Sequence, residues 1–457
     1  MYRELHSLRQ ALRHELEGTL PPVTGVEPDR LIQTYLDHLT LYVGLDVADH
    51  TVTLLALEAT GHELGHLLDV PNTPPGFEQI GAWLEYLRLQ HHLRIIALAG
   101  ETTGVFYWAL WDYLGERPNV ARVLYNPRTT EHMGEVLSKR VRTELVDALL
   151  LAEQLRLGST PEVVLTEDAD LLTARLCSRA ARDLAQQLNR KKNQLRSLVR
   201  GYNPAIGQVF PGAKFHHPAV YALLQQYVFP DECVAAGVES LTTLLTQHAR
   251  TAFGQEHAQH LLALCRNYLP RPIGRAVVHQ RVDDLIAEIR LTRAHQKAML
   301  HTGYALIKDR PETQLLRAAT GAGPSNTLAL VSEVGELRRF PDGAHLASFL
   351  GLTTSKHISG TSVYHAKHIT KQGSPNARYA AVNIALHLSQ RVPKYQRLYQ
   401  ALTARKPPRK GHWIALVAIA RDFVTNVLYD MWRYQRPFFV KVEDYRRYLR
   451  DHPRTDS

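Results

Sequence analysis

The stretch Leu41–Leu57, LYVGLDVADHTVTLLAL, decides how the rest of the chain is read. LYVGLDV is a short apolar run rich in branched residues, and TVTLLAL repeats the pattern after Ala-Asp-His, so the two read as neighbouring strands. HLLDV (His66–Val70) supplies a third strand after a turn at Glu58–Gly61. Outward from there the pattern alternates. Phe77–Gln90 has helical spacing, LRIIALAG (Leu93–Gly100) is a buried strand, and Val105–Leu114 is a helix. ARVLY (Ala121–Tyr125) closes against Asn126-Pro127, and a third helix covers Thr143–Leu157. Three hairpin-like strands followed by strand–helix alternation predict a mixed sheet covered by helices, as in ribonuclease-H-like nucleases.

Beyond this region the composition changes. Thr166–Val199 and Ala276–Ile307 are long, helical and spaced for antiparallel packing, partly as coiled coil, with Pro- and Gly-broken pieces between them. Thr320–Phe340 carries a Gly-x-Gly-Pro turn leading into a helix, similar to a helix–hairpin–helix element or equally a plain helix–helix turn. The expected fold is therefore α/β plus α. Its divisions are a helical extension (1–37), a RuvC-like domain (38–160), a helical region (161–310), a mainly helical C-terminal domain (311–440) and a tail (441–457).

Composition narrows the function. The chain has 457 residues, 45% hydrophobic and 21% charged, which excludes dominant disorder. Cys177, Cys233 and Cys265 are odd in number and form no Cys-x-x-Cys, which argues against a disulfide framework and for a reducing cytoplasm. The charged N-terminus and the short apolar stretch Trp413–Ala420 predict a soluble protein with no membrane span. Net charge is +10, and from Gly343 to Arg421 there are 12 Lys or Arg and no Asp or Glu. Such a surface suits a polyanion, because clustered cations release phosphate counterions; a solvated basic face is the plainer alternative.

His62-Glu63-Leu64-Gly65-His66 matches the zinc-protease pattern, which needs both histidines one helical turn apart. Here the motif follows a turn between strands, and on a strand positions four apart lie ~13 Å from one another. The acidic set is the stronger lead. Asp46 ends an apolar strand, Glu101 directly follows another, and Glu144 and Asp147 share one face at a helix start. Four such carboxylates suit two Mg²⁺ ions in phosphoryl transfer. Strand-end turns and helix N-terminal charges are the structural alternatives.

These segments carry a resemblance. YVGLDVADHTVTLLAL, ALAGETTG and VRTELVDALLLA resemble the N-terminal domain of the DEDD insertion-sequence transposases. In Arg142–Ala148 a Glu and an Arg stand where that family's KTDxxDA pattern has Asp and Lys. GELRRFPDGAHLASFLGL and ISGTSVYHAKHITKQGSPNAR resemble the family's serine-bearing C-terminal domain. The resemblance implies a DNA transposase or recombinase that uses Mg²⁺ on Asp46, Glu101, Glu144 and Asp147. It implies Ser359 as nucleophile, with Ser362 as the alternative, and Lys356, Lys367, Lys371 and Arg378 on the DNA backbone. It further implies a structured guide RNA and a homo-oligomer, dimer or tetramer. A RuvC-like nuclease with water as nucleophile, or a non-catalytic nucleic-acid scaffold, are the competing readings.

Overall fold

The computed structural model describes residues 3–17, 27–102, 106–136, 143–158, 168–249, 252–269, 274–319, 321–354, 369–404 and 407–451. The chain divides into two compact units, Met1–Leu165 and Thr166–Ser457.

The first unit is built on a five-stranded sheet ordered β3-β2-β1-β4-β5. The strands are β1 (Thr40–Val47), β2 (Thr51–Leu57), β3 (Glu63–Pro71), β4 (Ile95–Glu101) and β5 (Val120–Tyr125). β1 is antiparallel to β2 and parallel to β4, and β4 is parallel to β5. This is an RNase-H-like mixed sheet, as the strand spacing predicts.

Alternation sorts the strands onto two cores. Leu41, Val43 and Leu45 of β1 face one way with Leu54, Ile96 and Leu98, under α3 (Pro74–Gln90) and α4 (Trp108–Gly115). Tyr42, Leu55, Leu57, Ala97 and Ala99 face the other, under α6 (Glu144–Leu157). The helices α1 (Arg3–Leu16) and α2 (Pro28–His38) complete this second core through Leu5, Leu12, Ile32 and Leu36. Glu4 also grips the edge of the sheet, accepting the Arg122 amide at 2.7 Å and pairing with its guanidinium at 2.7 Å. The N-terminal helices are thus part of the first unit's core.

Two boundaries differ from the spacing. β3 begins at Glu63 instead of His66, because a turn closed by the Glu58 amide on the His62 carbonyl (3.0 Å) starts the hairpin early. α3 begins at Pro74, since two prolines can fill its first positions. A helix that the spacing does not predict, α5 (Pro127–Val136), starts at the Asn-Pro that closes β5.

The second unit is helical. The α7 helix (Ala169–Tyr202) starts on Asp168, whose carboxylate accepts the Leu171 amide at 3.0 Å. It packs along α12 (Arg275–Ile307), with Cys177 against Gly303 and Lys191 bonded to Glu288, which makes the pair antiparallel. Between them α8 (Pro204–Val209), a 3₁₀ turn (Gly212–His216), α9 (Pro218–Gln226), α10 (Pro230–Ala249) and α11 (Gln255–Cys265) build a separate core around Phe210, Phe215 and Phe229. Leu171, Ala174 and Ile307 at the opposite end of the hairpin join the core of the C-terminal helices.

Those helices are α13 (Pro311–Arg317), α14 (Pro324–Val334), α15 (Gly343–Phe349), α16 (Pro375–Arg391), α17 (Pro393–Thr403), α18 (Pro408–Asp422), α19 (Tyr429–Arg433) and α20 (Val442–Asp451). The α13–turn–α14 element occupies the place of the expected helix–hairpin–helix-like element or plain helix–helix turn, with Gly321 at φ +86° and His387 where its Cβ would lie. Among the described residues no helix is long and apolar enough to cross a membrane.

Candidate active site

The acidic site grows from the alternation of β1. Gly44 and Asp46 follow Tyr42 on the α6 face, and Ala99 and Glu101 occupy that face on β4. Gly44 pairs with Ala99, so Asp46 and Glu101 stand two residues further along adjacent parallel strands, at the same end of the sheet. Asp46 pairs across the hairpin with Thr53 on β2.

Gly44 brings the remaining two acids in. A Cβ at this position would lie 1.9 Å from the Ala148 carbonyl oxygen and 2.7 Å from the Ala152 nitrogen. Backbone therefore lies on backbone, and buried Ala148 and Ala152 give α6 the smooth face this approach needs. The start of α6 is fixed by Thr143, whose hydroxyl accepts the Val146 amide at 3.2 Å. Glu144 and Asp147 on that first turn are thereby delivered to the Asp46 end of β1. Thr53 then orients Glu144, donating its hydroxyl hydrogen to Oε2 at 3.0 Å. Sequence reasoning missed Thr53, although its place opposite Asp46 in the hairpin register was a usable signal.

The electrostatics match the geometry. The Asp46 carboxyl is pushed up to about 6, first by burial and then by the charges of Asp147, Glu144 and Glu101. All three partner carboxylates thus act on one half-buried group. Among the described residues, no three His, Cys, Asp or Glu already stand at the spacing of a metal's coordination shell. Two carboxylates 4 Å apart repel by about 4 kcal/mol at an effective dielectric of ~20, so a set of four at one sheet end calls for cations. An all-oxygen set gathered about a carboxyl raised by its neighbours' charges is the donor chemistry that suits a hard divalent cation.

The zinc-protease motif forms no such site. Glu63 and His66 lie on β3, with His66 Nδ1 2.6 Å from Glu63 Oε1, so the residues of the motif are spread along an extended strand.

In the second unit, Ser359, Ser362, Lys356 and Lys367 lie outside the described residues. The ends of their segment are described and are clamped together. Thr354 bridges Ile369 antiparallel, and the Thr370 amide donates to the Thr353 carbonyl at 2.8 Å. Gly351 (φ +68°) and Gly373 (φ +97°) turn the chain into and out of this stem. Lys371 is exposed beside it in a left-handed conformation. Arg378 serves the stem itself: its Nη1 donates to the Leu350 carbonyl at 3.0 Å and the Lys371 carbonyl at 3.2 Å. A guanidinium so employed holds the base of the segment, a role the acid-free composition did not suggest.

A Cβ at Gly373 would sit 1.7 Å from the Phe349 carbonyl oxygen. Gly373→Ala is expected to open the stem, lowering stability by about 2 kcal/mol or more through strain and clash together. Thermal unfolding and a DNA-joining assay check this; a variant with wild-type melting and joining would remove the stem's importance.

Comparison with known proteins agrees with this layout. A model of DEDD transposases matches residues 43–204, and a model described as the transposase IS116/IS110/IS902 family matches residues 313–400. Together they cover more than half of the chain. The chain belongs to the DEDD transposases of insertion sequences. It is 27% identical over 320 residues to the insertion element IS110 uncharacterized 43.6 kDa protein of Streptomyces coelicolor, covering 68% of this chain and 76% of that one. It is 25% identical over 239 residues to the mini-circle putative transposase for IS117 of the same organism, 51% of this chain and 58% of that one. A pilin gene-inverting protein of Moraxella bovis is 28% identical over 149 residues, 32% of this chain and 45% of that one. The transposase is accordingly an enzyme of DNA recombination, and DNA is its partner. Neither family model extends over residues 205–312, where the helical lobe of the second unit lies.

Proposed function

We propose that this transposase cuts and rejoins DNA by transferring a phosphoryl group through Ser359, with divalent metal, Mg²⁺, held by Asp46, Glu101, Glu144 and Asp147. The observation that carries the metal assignment is the convergence of three carboxylates on the half-buried Asp46. DEDD transposase domains are typically dependent on divalent metal. When bound, such ions supply Lewis-acid stabilisation of the phosphoryl oxygens and a lower pKa for the attacking hydroxyl. The protein's own groups do the rest. Thr53 fixes the rotamer of Glu144, and Gly44 fixes the distance of α6 from β1.

The Ser359 assignment rests on the resemblance of the segment 358–378 to the family's serine-bearing block. In the step proposed, the Ser359 Oγ–P bond forms as a P–O bond to a deoxyribose oxygen breaks. The serine proton passes to solvent and the departing oxygen takes one up. Attack by a free DNA hydroxyl on the phosphoserine reverses the exchange and rejoins the strand. Lys356, Lys367, Lys371 and Arg378 hold the backbone, within divisions at 1–37, 38–160, 161–310, 311–440 and 441–457. A structured guide RNA chooses the sites, and the protein works in the cytoplasm as a dimer or tetramer.

The test is a denaturing gel after incubation with element-end DNA and Mg²⁺. A protein–DNA adduct that is present in wild type, absent in Ser359→Ala and retained in Ser362→Ala is the expected result. Adduct retained in Ser359→Ala and lost in Ser362→Ala moves the nucleophile. Free cut ends without adduct would replace the serine by water, and intact DNA would leave a scaffold.

A further inference from the structure

The helical hairpin of the second unit has two faces of unlike electrostatics. On one, carboxylates are matched: Glu288 bonds Lys191 at 2.6 Å and Arg281 at 3.4 Å, and Arg275 pairs with Asp231 and Glu232. On the other, Lys192 and Arg196 of α7 and Arg290 and Arg293 of α12 gather around His216 of the 3₁₀ turn and Tyr221 of α9. Lys192 and Arg196 are one helical turn apart, as are Arg290 and Arg293, so each pair shares a face of its helix.

Among the described residues no carboxylate pairs with these four cations. Arg196 donates to the Gly212 carbonyl at 2.7 Å and lies over the Phe215 ring at 5.6 Å. Arg290 reaches only the side-chain oxygen of Gln225, at 3.1 Å. Lys192 and Arg293 have no hydrogen bond or ion pair among the described residues. Burial first, and then the charges of Arg196, Lys192 and Arg293, push the half-buried His216 imidazole down to about 4, so it is neutral. It shares a hydrogen bond with the Tyr221 hydroxyl, at 3.0 Å. Lys192 is itself lowered, by burial and by Arg293 and Arg196. A folded protein relieves such repulsion by pairing with carboxylates or by binding an anion; here the fold supplies rigid positions for the cations and no internal counter-charge.

The geometry points to a second nucleic-acid contact on the helical lobe, where Lys192 and Arg196, near the end of the first matched segment, and Arg290 and Arg293, outside both, receive successive backbone phosphates. The rigid α7–α12 pair sets the spacing, and Arg196 is preorganised on Phe215 and Gly212. The ligand chemistry is the phosphodiester backbone, which duplex DNA and structured RNA share. Binding of this kind does not involve the acidic site, so it stands or falls apart from the phosphoryl-transfer reading.

The experiment uses the full chain in EDTA with two probes of equal phosphate number, a random-sequence DNA duplex and an RNA hairpin, followed by fluorescence anisotropy across salt. Lys192→Gln/Arg293→Gln removes the two cations that make no internal bond. With ~0.9 counterion released per phosphate contact, the variant's log–log salt slope on duplex should fall by about 2. Raising salt fourfold should then weaken wild type about tenfold more than the variant. Loss on the duplex alone assigns DNA, loss on the hairpin alone assigns RNA, and loss on both assigns the backbone generally. Unchanged slope and affinity on both probes overturn the proposal. Lys192→Glu/Arg293→Glu, with melting checked against wild type, should deepen the effect, and an equal loss in a variant that no longer melts cooperatively would be misfolding and would also count against it.

Discussion

Asp46→Asn is expected to abolish DNA joining while making the metal-free protein more stable. The reason lies in the cost of holding four carboxylates at one end of the sheet. Burial and three like charges raise the Asp46 carboxyl to about 6, well above its ordinary 3.8. Between about pH 4 and pH 6 the folded state therefore binds more protons than the unfolded state, and stability falls as pH rises through that window. Above it the penalty is complete, and below it the penalty is absent. Because the group is only half-buried, solvent screening leaves an estimated ~1–2 kcal/mol of what the shift alone would suggest.

Asparagine removes the charge and keeps the shape. At pH 8 in EDTA the variant should melt about 4 °C above wild type, and at pH 4 the two should coincide. Mg²⁺ should raise the wild-type melting temperature and leave the variant's nearly unmoved, since binding to the native state alone is stabilising. A variant no more stable than wild type at pH 8, shifted equally by Mg²⁺, would show that the carboxylates form no strained metal site.

Gly44→Ala should have the larger structural effect. Its methyl would fall 1.9 Å from the Ala148 carbonyl oxygen, and both that atom and the Ala152 nitrogen belong to the backbone of α6. No rotamer change can make room. The helix has to lift from β1, which breaks the Ala148–Ala152 packing and withdraws Glu144 from the Thr53 hydroxyl. Overpacking of a core commonly costs about 1–3 kcal/mol, and a clash with immobile backbone should reach about 3 or more. Denaturant unfolding measures the loss, and joining should disappear with it. Adding Ala148→Gly should not rescue the variant, because the obstruction is a carbonyl oxygen and not a side chain. Wild-type stability in Gly44→Ala would mean that α6 does not rest on β1 as described.

Both expectations turn on a site that was partly legible in the chain. Asp46 and Glu101 were readable because a charged residue closing an apolar strand run leaves the core at the sheet's end. Glu144 and Asp147 were readable as a pair because one helical turn aligns them. Their meeting with Asp46 was not, since it depends on Gly44 having no side chain and on a helix about 100 residues away settling over it. The part played by Arg378 was hidden for a related reason. Its place in an acid-free stretch says nothing of a structural bond, and only the closed stem at Thr354 and Ile369 places two carbonyls within reach of its Nη1.

Local pattern alone determined the strands, the long helices and the acidic residue types, because period-2 and period-3.6 burial are written into neighbouring positions. Tertiary structure alone decided which carboxylates converge, which arginines are spent on the protein's own backbone, and which cations of the α7–α12 hairpin are left without a counter-charge. Those are properties of distance between residues remote in sequence, and charge interactions fall off with distance in space, not along the chain.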